Sequence, residues 1–132
     1  MSVEWKYKIE FTSKKIYEII EEKLSFKIPD EIKKLVDEAN AASPDKGRVK
    51  VKDEERIFGA VLSFNENEEE ADDVYTAIKA VNNDDMLPFG IDPFGNYYCY
   101  SGKSDTVVFW NHENGSIIDT EKGIEAFIGS FY

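Results

Sequence analysis

Met86-Leu87-Pro88-Phe89-Gly90-Ile91-Asp92-Pro93-Phe94-Gly95-Asn96-Tyr97-Tyr98-Cys99-Tyr100 is the stretch whose reading sets the architecture. Two apolar, ring-rich runs flank Asp92–Asn96, where proline, glycine, aspartate and asparagine supply turn chemistry. Met86–Ile91 therefore reads as one strand and Asn96–Tyr100 as the next. Pro88 has no N–H to give a ladder, which confines the first strand to an edge or a bulge. Ser101–Asp105 leads into Thr106–Asn111, a third β-branched and aromatic run. Asn114-Gly115 then signals a hairpin with a two-residue primed turn, because such turns need positive φ. Ser116–Asp119 returns as a short strand. Thr120 is positioned to cap a final helix carrying Ile124, Phe127, Ile128 and Phe131 on one stripe.

The first half of the chain supplies the helices. Val3, Trp5, Tyr7, Ile9 and Phe11 alternate with charged residues, which predicts a half-buried strand. Thr12 or Ser13 offers a cap to a short helix bearing Ile16, Ile19, Ile20 and Leu24. Pro29 suits a first helical position, and Asp30 and Glu31 suit the helix dipole behind it. Ile32, Leu35, Val36 and Ala39 continue that second stripe, and Asn40–Gly47 forms the loop that ends it. Val49 and Val51 alternate with basic residues in an edge-like strand. Ile57–Phe64 is nearly continuous in apolar character and predicts a central strand. Val74, Ala77, Ile78 and Val81 repeat at helical spacing in a third helix.

Strands thus come in adjacent runs, which argues for an α+β fold rather than a doubly wound one: a mostly antiparallel central sheet of about five to six strands packed with about four helices. The chain of 132 residues reads as a single domain over residues 1–132, with 42% hydrophobic and 33% charged residues. Its nine Phe, seven Tyr and two Trp suit a compact ring-rich core. The lone cysteine forbids an internal disulfide and fits a reducing compartment. The start, Met1–Lys6, has no apolar leader core, so the expected location is the cytoplasm.

Sixteen basic against 27 acidic residues give a net charge of −11. Nucleic-acid binding and anionic membrane surfaces are disfavoured by that sign. A positively charged protein partner would be steered towards it; equally, acidity serves solubility alone. The acids concentrate in Glu66, Glu68, Glu69, Glu70, Asp72 and Asp73, which are candidates for a partner surface or for stabilising the start of the third helix. Trp110 in Val107-Val108-Phe109-Trp110 has a similar double reading. Either it is displayed on an open sheet face as a contact residue, or both faces of the sheet are covered.

Signals for chemistry are sparse. Cys99 lies in an aromatic strand and reads as a small buried apolar residue, with a nucleophile partnered by His112 as the alternative. His112 reads as a locally bonded turn histidine or as a general base. No zinc spacing, phosphate loop, dinucleotide fingerprint or calcium loop is present, so no cofactor and no metal are expected.

Three stretches together carry a resemblance: Leu87-Pro88-Phe89-Gly90, then Pro93-Phe94-Gly95-Asn96-Tyr97-Tyr98, then Val107-Val108-Phe109-Trp110-Asn111-His112-Glu113. With the helix-opening Ile28-Pro29-Asp30-Glu31 they resemble the SUKH (Smi/Knr-like) superfamily over about Ile16–Phe131. Asn40 is followed by Ala41-Ala42 where the family has glycines, and Val3–Phe11 reads as a strand where the family has a helix. The resemblance implies a non-enzymatic immunity protein that binds and neutralises a toxin of a bacterial polymorphic or contact-dependent system, or a regulatory or scaffold module without a toxin. It carries no catalytic residues over. A nuclease toxin would present a basic cleft, which an acidic inhibitor complements. The candidate contacts are Glu66, Glu68, Glu69, Glu70, Asp72, Asp73, Asp84, Asp85, Asp92, Trp110 and Glu113.

Overall fold

Residues 3–132 are described by the computed structural model; Met1 and Ser2 fall outside it. The elements run β1 (Trp5–Lys6), α1 (Ile16–Glu21), α2 (Asp30–Ala39), β2 (Ser43–Pro44), β3 (Arg48–Val51), β4 (Glu54–Ile57), β5 (Ala60–Val61), α3 (Val74–Val81), β6 (Met86–Ile91), β7 (Tyr97–Ser101), β8 (Thr106–Trp110), β9 (Ile117–Asp119) and α4 (Ile124–Gly129). Strands β5 to β9 form a five-stranded sheet in sequence order, and β1–β2 and β3–β4 form two small pairs. All the strand pairings are antiparallel. The α+β expectation holds, with the C-terminal meander as the main sheet.

Pro88 lies in β6, which is paired on both sides, so the bulge reading applies rather than the edge. The β6–β7 register shifts between Pro88 and Gly90, opposite Cys99 and Tyr98. A residue without an N–H is tolerated where the ladder is already interrupted.

Ile57–Phe64 is not one central strand. The chain pairs with β3 through Ile57, leaves that pairing at Phe58 and Gly59, and joins β6 for only two residues. Phe58 is the cause. Its side chain is 1% exposed and its ring centroid lies 5.1 Å from those of Tyr98 and Phe131, 6.1 Å from Phe89 and Phe127, and 6.4 Å from Trp5. A ring driven into the core from this point turns the chain from one sheet to the other. Gly90 makes the space: a Cβ there would lie 2.3 Å from Phe58 Cε2.

The alternation over Val3–Phe11 does not make a long strand. Only Trp5 and Lys6 pair, with Pro44 and Ser43. Tyr7 has φ of 65° and leaves its ring 84% exposed. Beyond it, two asparagines replace a neighbouring strand. Asn40 Nδ2 donates to Ile9 O at 3.0 Å, and Ile9 N donates to Asn40 O at 3.0 Å. Asn65 Nδ2 donates to Glu10 O at 2.8 Å, while Asn65 Oδ1 accepts from Thr12 N at 2.9 Å. Asn40 Oδ1 also accepts from Phe64 N at 2.8 Å, so one buried side chain ties three segments together.

Helix starts also differ from expectation. Ser13 Oγ accepts from Glu66 N rather than capping α1. Pro29 is the residue before the first helical turn, with Asp30 leading the helix. Thr120 Oγ1 donates to Val107 O, and Gly123 precedes α4. The Asn114-Gly115 hairpin closes through four loop residues, with Asn111 N donating to Ser116 O and Gly115 N to Asn111 O. Gly115 takes φ of 71°, while Asn114 uses its side chain to accept from Ser116 N.

Three expectations follow. Gly90→Ala pushes a methyl against a ring that has nowhere to move, and should lower stability by about 1–3 kcal/mol in chemical denaturation; Phe58→Ala should cost about 3–5 kcal/mol. Ala41 sits at φ of 61°, in the left-handed region that favours glycine. Ala41→Gly should raise stability by up to about 1 kcal/mol, a gain of a few degrees in Tm, because glycine carries no penalty there.

Candidate functional site

The two faces of the main sheet are covered unequally. Tyr98 and Tyr100 of β7, Val107 and Phe109 of β8 and Leu87 and Phe89 of β6 point into the large core, beneath Ile16, Ile20, Ile32, Val36, Ile124 and Phe127 of the helices. Cys99, Val108 and Met86 point the other way and form a second, smaller cluster with Val81 of α3. Of α3 only Val81 joins this cluster, while Val74 and Ala77 pack with the large core. Tyr97 and Trp110 remain half-buried at its margin, stacked with centroids 5.7 Å apart and planes at 25°. Ile117, paired in register with Trp110, is 49% exposed. A shallow groove of about 420 Å³ continues along the face between Asn83, Met86, Ser101, Val108, Ile117 and Asp119. Each face is therefore partly as foreseen: covered under the helices, open along β8 and β9.

Tyr97 was not singled out from the sequence. A signal for it existed, because the Ser101–Asp105 connection makes β7 and β8 symmetric about it and sets Tyr97 opposite Trp110. Burial, and then the Asp72 and Asp73 carboxylates, push the Tyr97 hydroxyl above its ordinary pKa. The field of the acidic loop before α3 is thus felt at the aromatic stack.

The acids divide by what their side chains do. Asp73 accepts from Thr76 N at 3.3 Å and caps α3. Glu68 accepts from Ser63 Oγ at 2.8 Å and from Glu70 N at 3.3 Å. Asp85 accepts from Ser25 Oγ at 2.6 Å. Glu66, Glu69, Glu70, Asp72, Asp84 and Glu113 are exposed. The helix-start reading of the acidic patch therefore applies to Asp73 alone; the first turn of α3 itself contains no acid.

Asp92 is not a surface acid. It is 6% exposed, and its carboxylate accepts from Phe94 N, Asn96 N and Asn96 Nδ2, each at 2.8 Å. Asn96 Oδ1 in turn accepts from His112 N at 3.0 Å. One buried carboxylate thus braces the β6–β7 turn, and Asn96 ties that turn to the loop after Trp110. The side chain left outside is Phe94, 73% exposed.

The Cys99–His112 alternative fares poorly. Cys99 is fully buried between Pro88 and Val108, and burial pushes its thiol well above the ordinary range, away from the nucleophilic thiolate. His112 is exposed in the β8–β9 loop, where its backbone and its ring lie against the Asp92–Asn96 turn. Among the described residues no cluster of His, Cys, Asp and Glu could hold a metal ion, and no helix is long and apolar enough to cross a membrane. Asp92→Ala should leave three donors without their acceptor and lower stability by about 2–4 kcal/mol, measured by urea unfolding.

Comparison with known proteins agrees with this geometry. No curated protein matches the chain. The model of the SMI1 / KNR4 family (SUKH-1) matches residues 12–130, a span that takes in Asn40 and Asn65, the Asp92 turn and the whole five-stranded sheet. The chain belongs to the SMI1 / KNR4 family, SUKH-1.

Proposed function

We propose that this chain is a non-enzymatic immunity protein, which neutralises a cognate toxin of a bacterial polymorphic or contact-dependent system by occupying its surface. Membership of the SMI1 / KNR4 family (SUKH-1) supports this reading. The observation that carries the mechanism is the open end of the sheet, where the Tyr97–Trp110 stack stands half-buried and the Asp72 and Asp73 carboxylates act electrostatically on the Tyr97 hydroxyl. Large rings that keep part of their surface in solvent are the side chains most often found at the energetic centre of protein interfaces. Carboxylates around them speed encounter with a basic partner and fix its orientation.

The partner favoured by this surface is a basic toxin domain, and a nuclease fits because its cleft must hold phosphates. The chain's −11 charge acts at long range, while Glu66, Glu69, Glu70 and Asp72 act at contact. Such a protein works in the cytoplasm of the producing cell, where an incoming toxin would act. No bond is made or broken in this mechanism, so His112 has no catalytic duty in it.

The test takes as its candidate toxin the protein encoded immediately beside this gene. A variant carrying Glu66→Lys, Glu69→Lys, Glu70→Lys and Asp72→Lys should associate at least about tenfold more slowly at low salt, lose the salt dependence of its on-rate, and fail to protect cells. His112→Ala should protect as well as the parent. Full protection by the charge-reversed variant would sink the acidic-surface mechanism.

A further inference from the structure

Phe94 has no evident task inside the fold. Among the described residues it is, at 73% exposure, the most exposed large side chain without a polar atom, ahead of Ile117 at 49% and Ile57 at 46%. Water contact over a ring of this size is unfavourable, and a polar residue would serve the turn equally well. Yet its backbone is held by hydrogen bonds on both sides. Phe94 N donates to Asp92 Oδ1, the flanking Asn96 donates twice to the same carboxylate, and Gly95 at φ of 89° lies against the His112 imidazole. The turn is therefore rigid on both sides of an exposed ring. Binding through a side chain on a fixed backbone loses little conformational entropy, which is the property of an anchor residue.

Its neighbourhood gives the anchor a context. The turn is bonded through Asn96 to His112, two residues beyond Trp110, and leads directly into Tyr97. Phe94, the Tyr97–Trp110 stack and Ile117 thus gather at one end of the sheet, with Glu113 exposed in the adjoining loop of a chain whose net charge is −11. We infer that Phe94 is a preorganised anchor, which inserts into an apolar pocket edged by lysine or arginine on the partner protein. This inference rests on the immunity reading above and names the contact at its centre. Burying one such ring in a matching pocket supplies affinity through a slower off-rate, whereas the surrounding acids act on the on-rate.

The experiment measures binding of the same candidate toxin, the protein encoded immediately beside this gene, to the full chain and to Phe94→Ala, Phe94→Asp and the fourfold charge-reversed variant. Phe94→Ala should keep the parent Tm and weaken binding about 30-fold, mainly through the off-rate, and Phe94→Asp should weaken it further. Parent-like affinity of both Phe94 variants, with the charge-reversed variant weakened, overturns the anchor and leaves the immunity reading standing. A Tm loss of more than a few degrees in Phe94→Ala overturns it too, by giving the ring a structural role. No complex between the parent chain and the candidate toxin removes the reading and the anchor together.

Discussion

A ring against a glycine organises this molecule. Phe58 enters the core where the chain passes from the β3–β4 pair to the main sheet, and it meets five other rings there. Its tip occupies the space that any side chain at position 90 would need. That contact joins the bulge of β6, the last helix and the N-terminal strand into one packing problem. Protein interiors are close to solid density, so such a joint has little freedom to adjust. The bulge at Pro88–Gly90 and the break at Phe58–Gly59 are two sides of the same fit.

Polar side chains carry the remaining connections, and they are buried and fully employed. Asn40 and Asn65 hold the N-terminal segment where a long strand would otherwise be needed. Asp92 and Asn96 hold the β6–β7 turn and dock the loop after β8. Each group satisfies backbone donors or acceptors that would otherwise be desolvated without partners, and so fixes one arrangement rather than several. The consequence is a sheet end whose loops are rigid while their outer side chains face solvent. That combination favours recognition over chemistry, in line with a thiol at Cys99 that burial keeps protonated.

Much of the architecture could be read from residue pattern. The stripe over Val74–Val81, the meander from Met86 to Asp119 and the turn at Asp92–Asn96 depend on short-range periodicity and on turn residues, and these were legible. The chain's place in the SUKH group was visible in Leu87-Pro88-Phe89-Gly90 and Val107–Glu113. The misreadings have a common origin. Val3–Phe11 alternates like a strand, but its hydrogen-bond partners are side chains 31 and 55 residues away. Ile57–Phe64 is apolar throughout, but Phe58 divides it for the sake of rings contributed from distant segments. Thr120 and Ser13 look like helix caps, yet their hydroxyls are used by other backbone groups.

Of the candidate surface, sequence gave the acids and Trp110 but could not sort them. Asp92 and Glu69 are both carboxylates in polar stretches; only packing makes one a buried brace and leaves the other in water. The sequence on its own determined the net charge, the four helices, the C-terminal meander and the family, because these follow from composition and from neighbours close along the chain. Only the tertiary structure decided which face of the sheet stays open, that Tyr97 stacks on Trp110, and that Phe94 stands outside a rigid turn. Those outcomes depend on which distant segments compete for the same volume and the same hydrogen bonds, a competition that no local pattern records.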